Sequence, residues 1–410
     1  MEKVLRRMRF SKKLIGPIAL LSIIGLTGIY LAQKESKIEQ KNFAIQKLKG
    51  HLNQQLRANN GFNASQLSID GENFDIDYSI DNKLQKFIKR RLRYYRPDKA
   101  AVVVIQNDTG NILASIGYDR KSKSFDHILP FTGTHPSASI FKIVTTTELI
   151  EDGEVKANSK FKYRGKGTTL YKYQLKEKKS RWNRNTSFEK AFAFSNNVIF
   201  GKVAIENTTP FEITEMAERL GFNTDLMSEI SLSKSTFIMP TAGYNLAEIA
   251  SGFNKKTQMS PVHCAVLSGI IANKGNLVYP RLVLEIKDKE KATAWKNEVV
   301  MKNVIKPEVA SDVKDLMKVT VSRGTARRQF RYLRRSIKNK LEIGGKTGSI
   351  TGGFPHGKRD WFTAFAYPKD ETRSGISLCV MNINFSKWYV KSTKVAQEII
   401  QYYYSNIDKL

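Results

Sequence analysis

The chain has 410 residues, 41% hydrophobic and 26% charged, which excludes a disordered polymer and fits one large domain plus an appendage, or two ordinary domains. A formal net charge of +30 favours anionic surroundings: nucleic acid, lipid head groups or an acidic polymer. The two cysteines, Cys264 and Cys379, exclude a disulfide-dense scaffold; both lie in apolar runs (HCAVLSGII and GISLCVMNI) that read as buried thiols, with a disulfide between them left open.

Residues 1–13 form a basic tail carrying Lys3, Arg6, Arg7, Arg9, Lys12 and Lys13. Residues 14–32, LIGPIALLSIIGLTGIYLA, carry no charge. At about 1.5 Å per residue a helix there reaches roughly 28 Å, close to the thickness of a bilayer's hydrocarbon core. The expectation is a single-pass anchor in the cytoplasmic (inner) membrane. The basic tail would stay inside and the rest would lie on the external, periplasmic side. A cleaved signal peptide is the rival; it would have a shorter apolar stretch and a small-x-small cleavage site, where Tyr30 stands instead. In that compartment nucleic acid is not an expected partner, and the anions available are lipid head groups and wall polymers.

Residues 33–80 read as a short juxtamembrane stalk or small subdomain, with one amphipathic helix around KNFAIQKLKGHLNQQLR and short extended pieces after it. From residue 81 to 410 the pattern is that of one domain. NKLQKFIKRRLRYYRP puts Leu84, Phe87, Ile88 and Leu92 on one helical face that ends at Pro97. AAVVVIQNDTGNILASIGY reads as a hairpin turning at Asn107-Asp108-Thr109-Gly110. The middle, roughly 137 to 335, is mainly helical with loops. LEIGGKTGSITG, WFTAFAYP and GISLCVMNINF then read as three strands, and STKVAQEIIQYYYSNI as a closing helix. Two strands early and three late predict an α/β (α+β) fold with one antiparallel sheet whose halves are far apart in sequence.

Three polar insertions interrupt this framework. In HPSASIFKIVTTTELIEDG, Ser139 and Lys142 stand three apart at a helix start, where a hydroxyl and an amine can meet. Lysine deprotonates serine only when burial or nearby positive charge lowers its pKa, and alone the pair is most simply an accident of a basic chain. In KAFAFSNNVIFGKVAI, Ser195-Asn196-Asn197 splits two apolar runs, so these side chains either face a cleft or cap a helix. In GGKTGSITGG, Lys346-Thr347-Gly348 puts a cation, a hydroxyl and a glycine on a strand, which suits a ligand carboxylate.

SxxK, SxN and KTG, in that order, resemble the signature set of serine penicillin-recognising enzymes. The chain is similar to the penicillin-binding proteins, specifically the monofunctional, membrane-anchored D,D-transpeptidases, over roughly residues 78 to 408. SRGTARRQF and MSPVHCAVLSGIIANKGNLVYPRLV also resemble family segments. The resemblance implies a β-lactamase/transpeptidase-like fold: a five-stranded antiparallel sheet flanked by helices, with a mainly helical middle. It implies that Ser139 is the acylated nucleophile, Lys142 its base and Ser195 a proton relay. Asn197 would hold the substrate backbone, Lys346 would support the electrostatics of the cleft, Thr347 would bind the terminal carboxylate with Gly348 also at the substrate-binding strand, and the backbone N–H groups of Ser139 and Ser349 would form the oxyanion hole. The implied partners are peptidoglycan stem peptides ending in D-Ala-D-Ala, β-lactam antibiotics, the membrane and a glycan polymerase, since residues 33–80 leave no room for a glycosyltransferase domain. No cofactor or metal is implied. Ser349 stands where the family often has threonine, and the basic run VSRGTARRQFRYLRRSIKNKL reads as a solvated face or as a contact for anionic lipid or wall polymer. A D,D-carboxypeptidase, a β-lactamase, and a non-enzymatic β-lactam sensor or scaffold remain as rival readings.

Overall fold

The computed structural model describes residues 31, 33–36, 39, 42–54, 65–69, 71–178, 180–230, 233–370 and 373–406. Its centre is an antiparallel sheet built from both ends of the region after residue 80. Strands β3 (Lys99–Gln106), β4 (Ile112–Asp119) and β5 (Ser124–Asp126) come early, and β8 (Leu341–Gly352), β9 (Gly357–Pro368) and β10 (Ile376–Asn384) come late. The order is β8-β9-β10-β3-β4-β5, so the two halves meet where β10 pairs with β3. The sheet therefore has six strands, not the five expected. The extra one, β5, is a three-residue edge strand paired through Gly117 and Asp126, too short to carry a period-two signal.

Both faces of this sheet are covered, which is why its strands read as nearly unbroken apolar runs. Ala100, Val102 and Val104 face one layer, made by helix α1 (Asn82–Tyr95) and α8 (Ser392–Asn406). Their neighbours Ala101, Val103 and Ile105 face the other layer, which contains α6 (Pro261–Ala272) and α7 (Pro307–Ser322). The start of α1 is set by Asp81, whose side chain accepts from the backbone N–H groups of Lys83 and Leu84, and it stops at Arg96 in left-handed conformation, just before Pro97. Cys264 on α6 and Cys379 on β10 are both buried free thiols.

The second face carries the mainly helical region. Its helices include α2 (Lys142–Glu151), α3 (Phe188–Ala193), α4 (Asn197–Asn207) and α5 (Tyr244–Ala250). Nearly every residue of α2 is buried, including three consecutive threonines; Thr145 Oγ1 donates to Ala250 O at 2.8 Å and Thr147 Oγ1 to Ile143 O at 2.9 Å, while Thr146 Oγ1 has no partner among the described residues. The amphipathic stretch near the N-terminus is a helix over 42–54 that buries Leu48 and Leu52. After it, β1 (Gln66–Ile69) and β2 (Glu72–Tyr78) join β6 (Val283–Lys287) and β7 (Thr293–Lys296) in a separate four-stranded sheet. Backbone pairing of β2 with β6 thus ties the segment before residue 80 to the far side of the molecule.

The expected transmembrane helix is corrected. Among the described residues no helix is long and apolar enough to cross a membrane, and the membrane partner and single-pass inner-membrane location that rested on it are withdrawn with it. Of residues 14–32 themselves, all but Leu31 lie outside the described residues.

Candidate active site

Ser139 lies in a 3₁₀ turn, Ala138–Phe141, that runs directly into α2 at Lys142. Side chains three apart eclipse one another in a 3₁₀ turn, more closely than on an α-helix. This brings Lys142 Nζ to 3.0 Å from Ser139 Oγ. The turn is held tightly from two sides. Ala138 has φ of 50°, a conformation that alanine adopts only under external support. Gly252 supplies that support: a Cβ built on it would sit 2.0 Å from Ala138 O. On the other side Gly348 lets β8 approach, since its Cβ would meet Ala138 Cβ at 3.3 Å and Ile140 at 3.2 Å.

Lys142 is fully buried, and its pKa is pushed well below the usual lysine value, first by desolvation and then by the nearby charge of Lys346. A neutral amine has two N–H donors and one lone pair. Two of its three partners are pure acceptors: the carbonyl of Ser251, at the C-terminal end of α5, and Asn197 Oδ1 at 2.7 Å. The amide of Asn197 is oriented by its own Nδ2, which donates to Thr168 O at 2.9 Å. With both N–H groups committed there, the lone pair of a neutral Lys142 is left for the hydroxyl proton of Ser139.

The serine and asparagines of the second insertion have separate jobs. Asn196 is the helix cap, its side chain accepting from Ile199 N, while Asn197 opens α4 and turns to Lys142. Ser195, at φ of 57°, sits in the break between α3 and α4. Its Oγ accepts from Lys346 Nζ at 3.0 Å, and Lys346 also donates to Thr347 O at 3.0 Å. Lys346 is fully buried, and desolvation takes its pKa down to about 7. Each amine lies near an aromatic ring, Lys142 5.2 Å from the Phe200 centroid and Lys346 5.4 Å from that of Phe192, so the cations that form on protonation have weak compensation.

All three insertions therefore converge. Ser139, Lys142 and Asn197 form one hydrogen-bonded set, Ser195 and Lys346 a second, and the strand residue Gly348 packs on the serine turn. Thr347, half-buried beside Lys346, shares a 2.7 Å hydrogen bond with Thr325 Oγ1. Ser349 is exposed one residue beyond Gly348, where it pairs with Asp360 across the β8–β9 ladder. Thr325, Ser251, Thr168 and Gly252 were not singled out by the sequence reasoning. Thr325 had a signal, the SRGTARRQF stretch; the backbone contacts of the others leave no mark on side-chain chemistry. Among the described residues, one acidic group gathers carboxylate oxygens within 4.8 Å, that of Glu148, Asp152 and Glu212. Burial pushes Glu148 up to about 7, against the lowering effect of Thr208 Oγ1, which donates to it at 2.8 Å.

The profile of the penicillin binding protein transpeptidase domain matches residues 100–401. Penicillin-binding protein 3 of Bacillus subtilis (strain 168) is 24% identical over 351 residues, covering 78% of this chain and 49% of that protein. The chain spans about half the length of the curated relatives it matches. Among solved structures, the D,D-transpeptidase domain of a peptidoglycan glycosyltransferase from Eggerthella lenta aligns with a TM-score of 0.65 at 20% identity, covering 82% of this chain and 84% of that one. PBPA from Mycobacterium tuberculosis aligns with a TM-score of 0.64, also at 20% identity, covering 80% of this chain and 82% of that one. With the profile match running from β3 into α8 and enclosing all three motifs, the chain belongs to the penicillin-binding protein transpeptidase domain family.

Proposed function

We propose that the protein is a peptidoglycan D,D-transpeptidase that cross-links stem peptides by serine acyl transfer. The observation that carries this reading is the fully buried Lys142, whose pKa burial and Lys346 push well down and whose Nζ lies 3.0 Å from Ser139 Oγ, its other partners being Asn197 Oδ1 and the Ser251 carbonyl. In the first step Lys142 takes the hydroxyl proton and Ser139 Oγ attacks the carbonyl carbon of the penultimate D-Ala. The backbone N–H groups of Ser139 and Ser349 stabilise the oxyanion, a contribution of about 3 kcal/mol per donor. The C–N bond then breaks, and the proton returns through Ser195 to the departing D-Ala amine. An amine of a second stem peptide attacks the acyl-enzyme by the reverse route, restoring Ser139.

The remaining groups hold the substrate. Lys346 and Thr347 receive its terminal carboxylate, with Gly348 keeping the strand close. Asn197 has one Nδ2 proton free after its bond to Thr168, and this holds the substrate backbone. A β-lactam mimics the D-Ala-D-Ala end and stays on Ser139, because the departing amine remains tethered to the adduct.

The test is intact mass of the protein with a penicillin, followed for hours beside Ser139→Ala. A stable adduct on the parent and none on the variant is expected, followed by product analysis with and without an acceptor amine. An adduct on Ser139→Ala, or none on the folded parent, would overturn the assignment.

A further inference from the structure

Leading into the nucleophile turn is a set of buried polar groups that acyl transfer does not use. His135-Pro136 pairs antiparallel with Gln258-Met259, and Ser137 N donates to Thr257 O at 3.0 Å. Residues two apart along a strand, and residues opposed across a ribbon, share a face, which places His135, Ser137 and Thr257 together. Arg359 on β9 reaches this ribbon. Its Nη2 donates to His135 Nδ1 at 3.4 Å, and its Nη1 donates to Gly352 O and, at 3.1 Å, to Gly357 O. Asn254 joins from the segment after α5, its Oδ1 accepting from Thr257 N at 2.8 Å and Lys256 N at 2.9 Å.

These groups have more donors than acceptors. His135, Ser137, Thr257 and Arg359 are each at most 1% exposed. A guanidinium only donates, so His135 Nδ1 accepts and the ring proton sits on Nε2. Burial and the charge of Arg359 take this histidine down to about 3, which keeps it neutral. Burial takes Arg359 only to about 10, so it stays a cation at neutral pH. Among the described residues His135 Nε2, Arg359 Nε, Asn254 Nδ2 and the hydroxyls of Ser137 and Thr257 have no hydrogen-bond partner. The carbonyls around them are already engaged: Gly352 and Gly357 by Arg359, Pro136 by Trp361 Nε1 at 3.0 Å, Thr257 by Ser137 N, and Ser137 by Ile140 N at 3.2 Å. Asp360, next to Arg359 in sequence, alternates to the other face of the strand and accepts from Ser392 N at 2.8 Å.

A buried cation without a counter-charge is costly, and so is each buried donor without an acceptor. Water answers half of this need, because it accepts two bonds but requires acceptors for its own two protons. A monovalent anion accepts from every side and cancels the charge. The burial of these groups limits the ligand to a small one. We propose that His135, Ser137, Asn254, Thr257 and Arg359 bind a small monovalent anion of the halide class beside the nucleophile turn. Ser137 is the N-cap residue of the 3₁₀ turn that carries Ser139, and Gly252, which abuts Ala138 O, stands two residues before Asn254. The anion ties the lead-in to Ser139, the segment after α5 and β9 into one unit, and so steadies the turn.

The experiment uses the full chain, with chloride titrated against gluconate at constant ionic strength and thermal unfolding and penicillin acylation as readouts. Thr257→Val is nearly isosteric and removes one donor, while Arg359→Met removes the charge. In the parent, melting temperature and acylation rate are expected to rise with chloride and saturate. Thr257→Val should need about 10-fold more chloride for half-saturation, as the loss of one hydrogen bond to a charged group implies, and Arg359→Met should not respond. Crystals grown in bromide should show an anomalous peak among the five groups. Equal responses of parent and Thr257→Val, or electron density for water alone with no bromide peak, would overturn the proposal. Should Arg359→Met fail to fold, Thr257→Val and the bromide crystals still decide the matter. Melting and bromide do not depend on acyl transfer, so a parent that fails to acylate sinks that reading and leaves the anion site to be judged separately.

Discussion

Substitution of Gly252 by alanine tests how the nucleophile turn is held. Gly252 adopts φ of +66°, and a Cβ there would lie 2.0 Å from Ala138 O, 2.5 Å from Ala138 C and 3.0 Å from Ser139 N. Carbon and oxygen do not remain at 2.0 Å, so the Ala138–Ser139 peptide, or the segment bearing residue 252, has to retreat by about 1 Å. A displacement of that size at a reacting group lowers the rate by about 10²-fold. The left-handed backbone adds about 1–2 kcal/mol of destabilisation for a residue with a Cβ. The two effects separate with a matched control: Gly153 follows α2 at φ of +78° and has nothing within 4 Å of its would-be Cβ. Gly153→Ala therefore carries the backbone strain without the collision. Stopped-flow acylation by a reporter penicillin, with thermal unfolding of each variant, gives both quantities. Gly252→Ala should acylate about 10²-fold more slowly than the parent while Gly153→Ala acylates normally, with both destabilised. Parental acylation by Gly252→Ala, or equal slowing in the two variants, would refute the idea that this glycine sets the position of Ser139.

Lys346 holds down the pKa of Lys142 by like charge, so Lys346→Met removes that repulsion and the pKa of Lys142 rises. Acylation needs neutral Lys142 and falls as pH drops through its pKa; the acid limb of the pH–acylation profile should therefore move to higher pH in the variant, and a limb that stays put or moves down counts against Lys142 as the base. Asn197→Asp places a carboxylate 2.7 Å from Lys142, favouring the ammonium, so acylation at neutral pH should fall by about 10² to 10⁴ and recover in part as pH rises; an unchanged rate at neutral pH would mean that the proton goes elsewhere. Thr325→Val deletes the 2.7 Å bond to Thr347, worth about 1 kcal/mol, and should weaken capture of carboxylate-bearing substrate by about 5-fold; equal kcat/KM for parent and variant would remove Thr325 from the site.

Much of the chemistry was readable before any coordinates, because it depends on residue types at short spacings. Ser139 and Lys142 are neighbours on any helical turn, and Ser195-Asn196-Asn197 announces itself by interrupting apolar runs. In that insertion the helix cap falls to Asn196, while Asn197 accepts from Lys142. The sheet was legible in its antiparallel assembly from distant halves but not in its width, since three residues of β5 carry no period. The anchor expectation has no counterpart among the described residues, where no helix is long and apolar enough to span a bilayer.

The sequence alone determined the inventory: a serine with a lysine one turn on, a polar break in a buried helical run, a lysine-hydroxyl-glycine strand, and a sheet assembled from both ends of the domain. Only the tertiary structure decided what those groups are. The pKa of Lys142 is pushed well down because folding removes its water and brings up the charge of Lys346, 204 positions away, while Asn197 and the carbonyl of Ser251, 55 and 109 positions away, accept from its Nζ. A pKa is set by the local dielectric and nearby charges, and neither exists until the chain has closed around the site. The same holds for Gly252, whose significance is a 2.0 Å distance to a residue 114 positions earlier and which in the sequence is one glycine among 26.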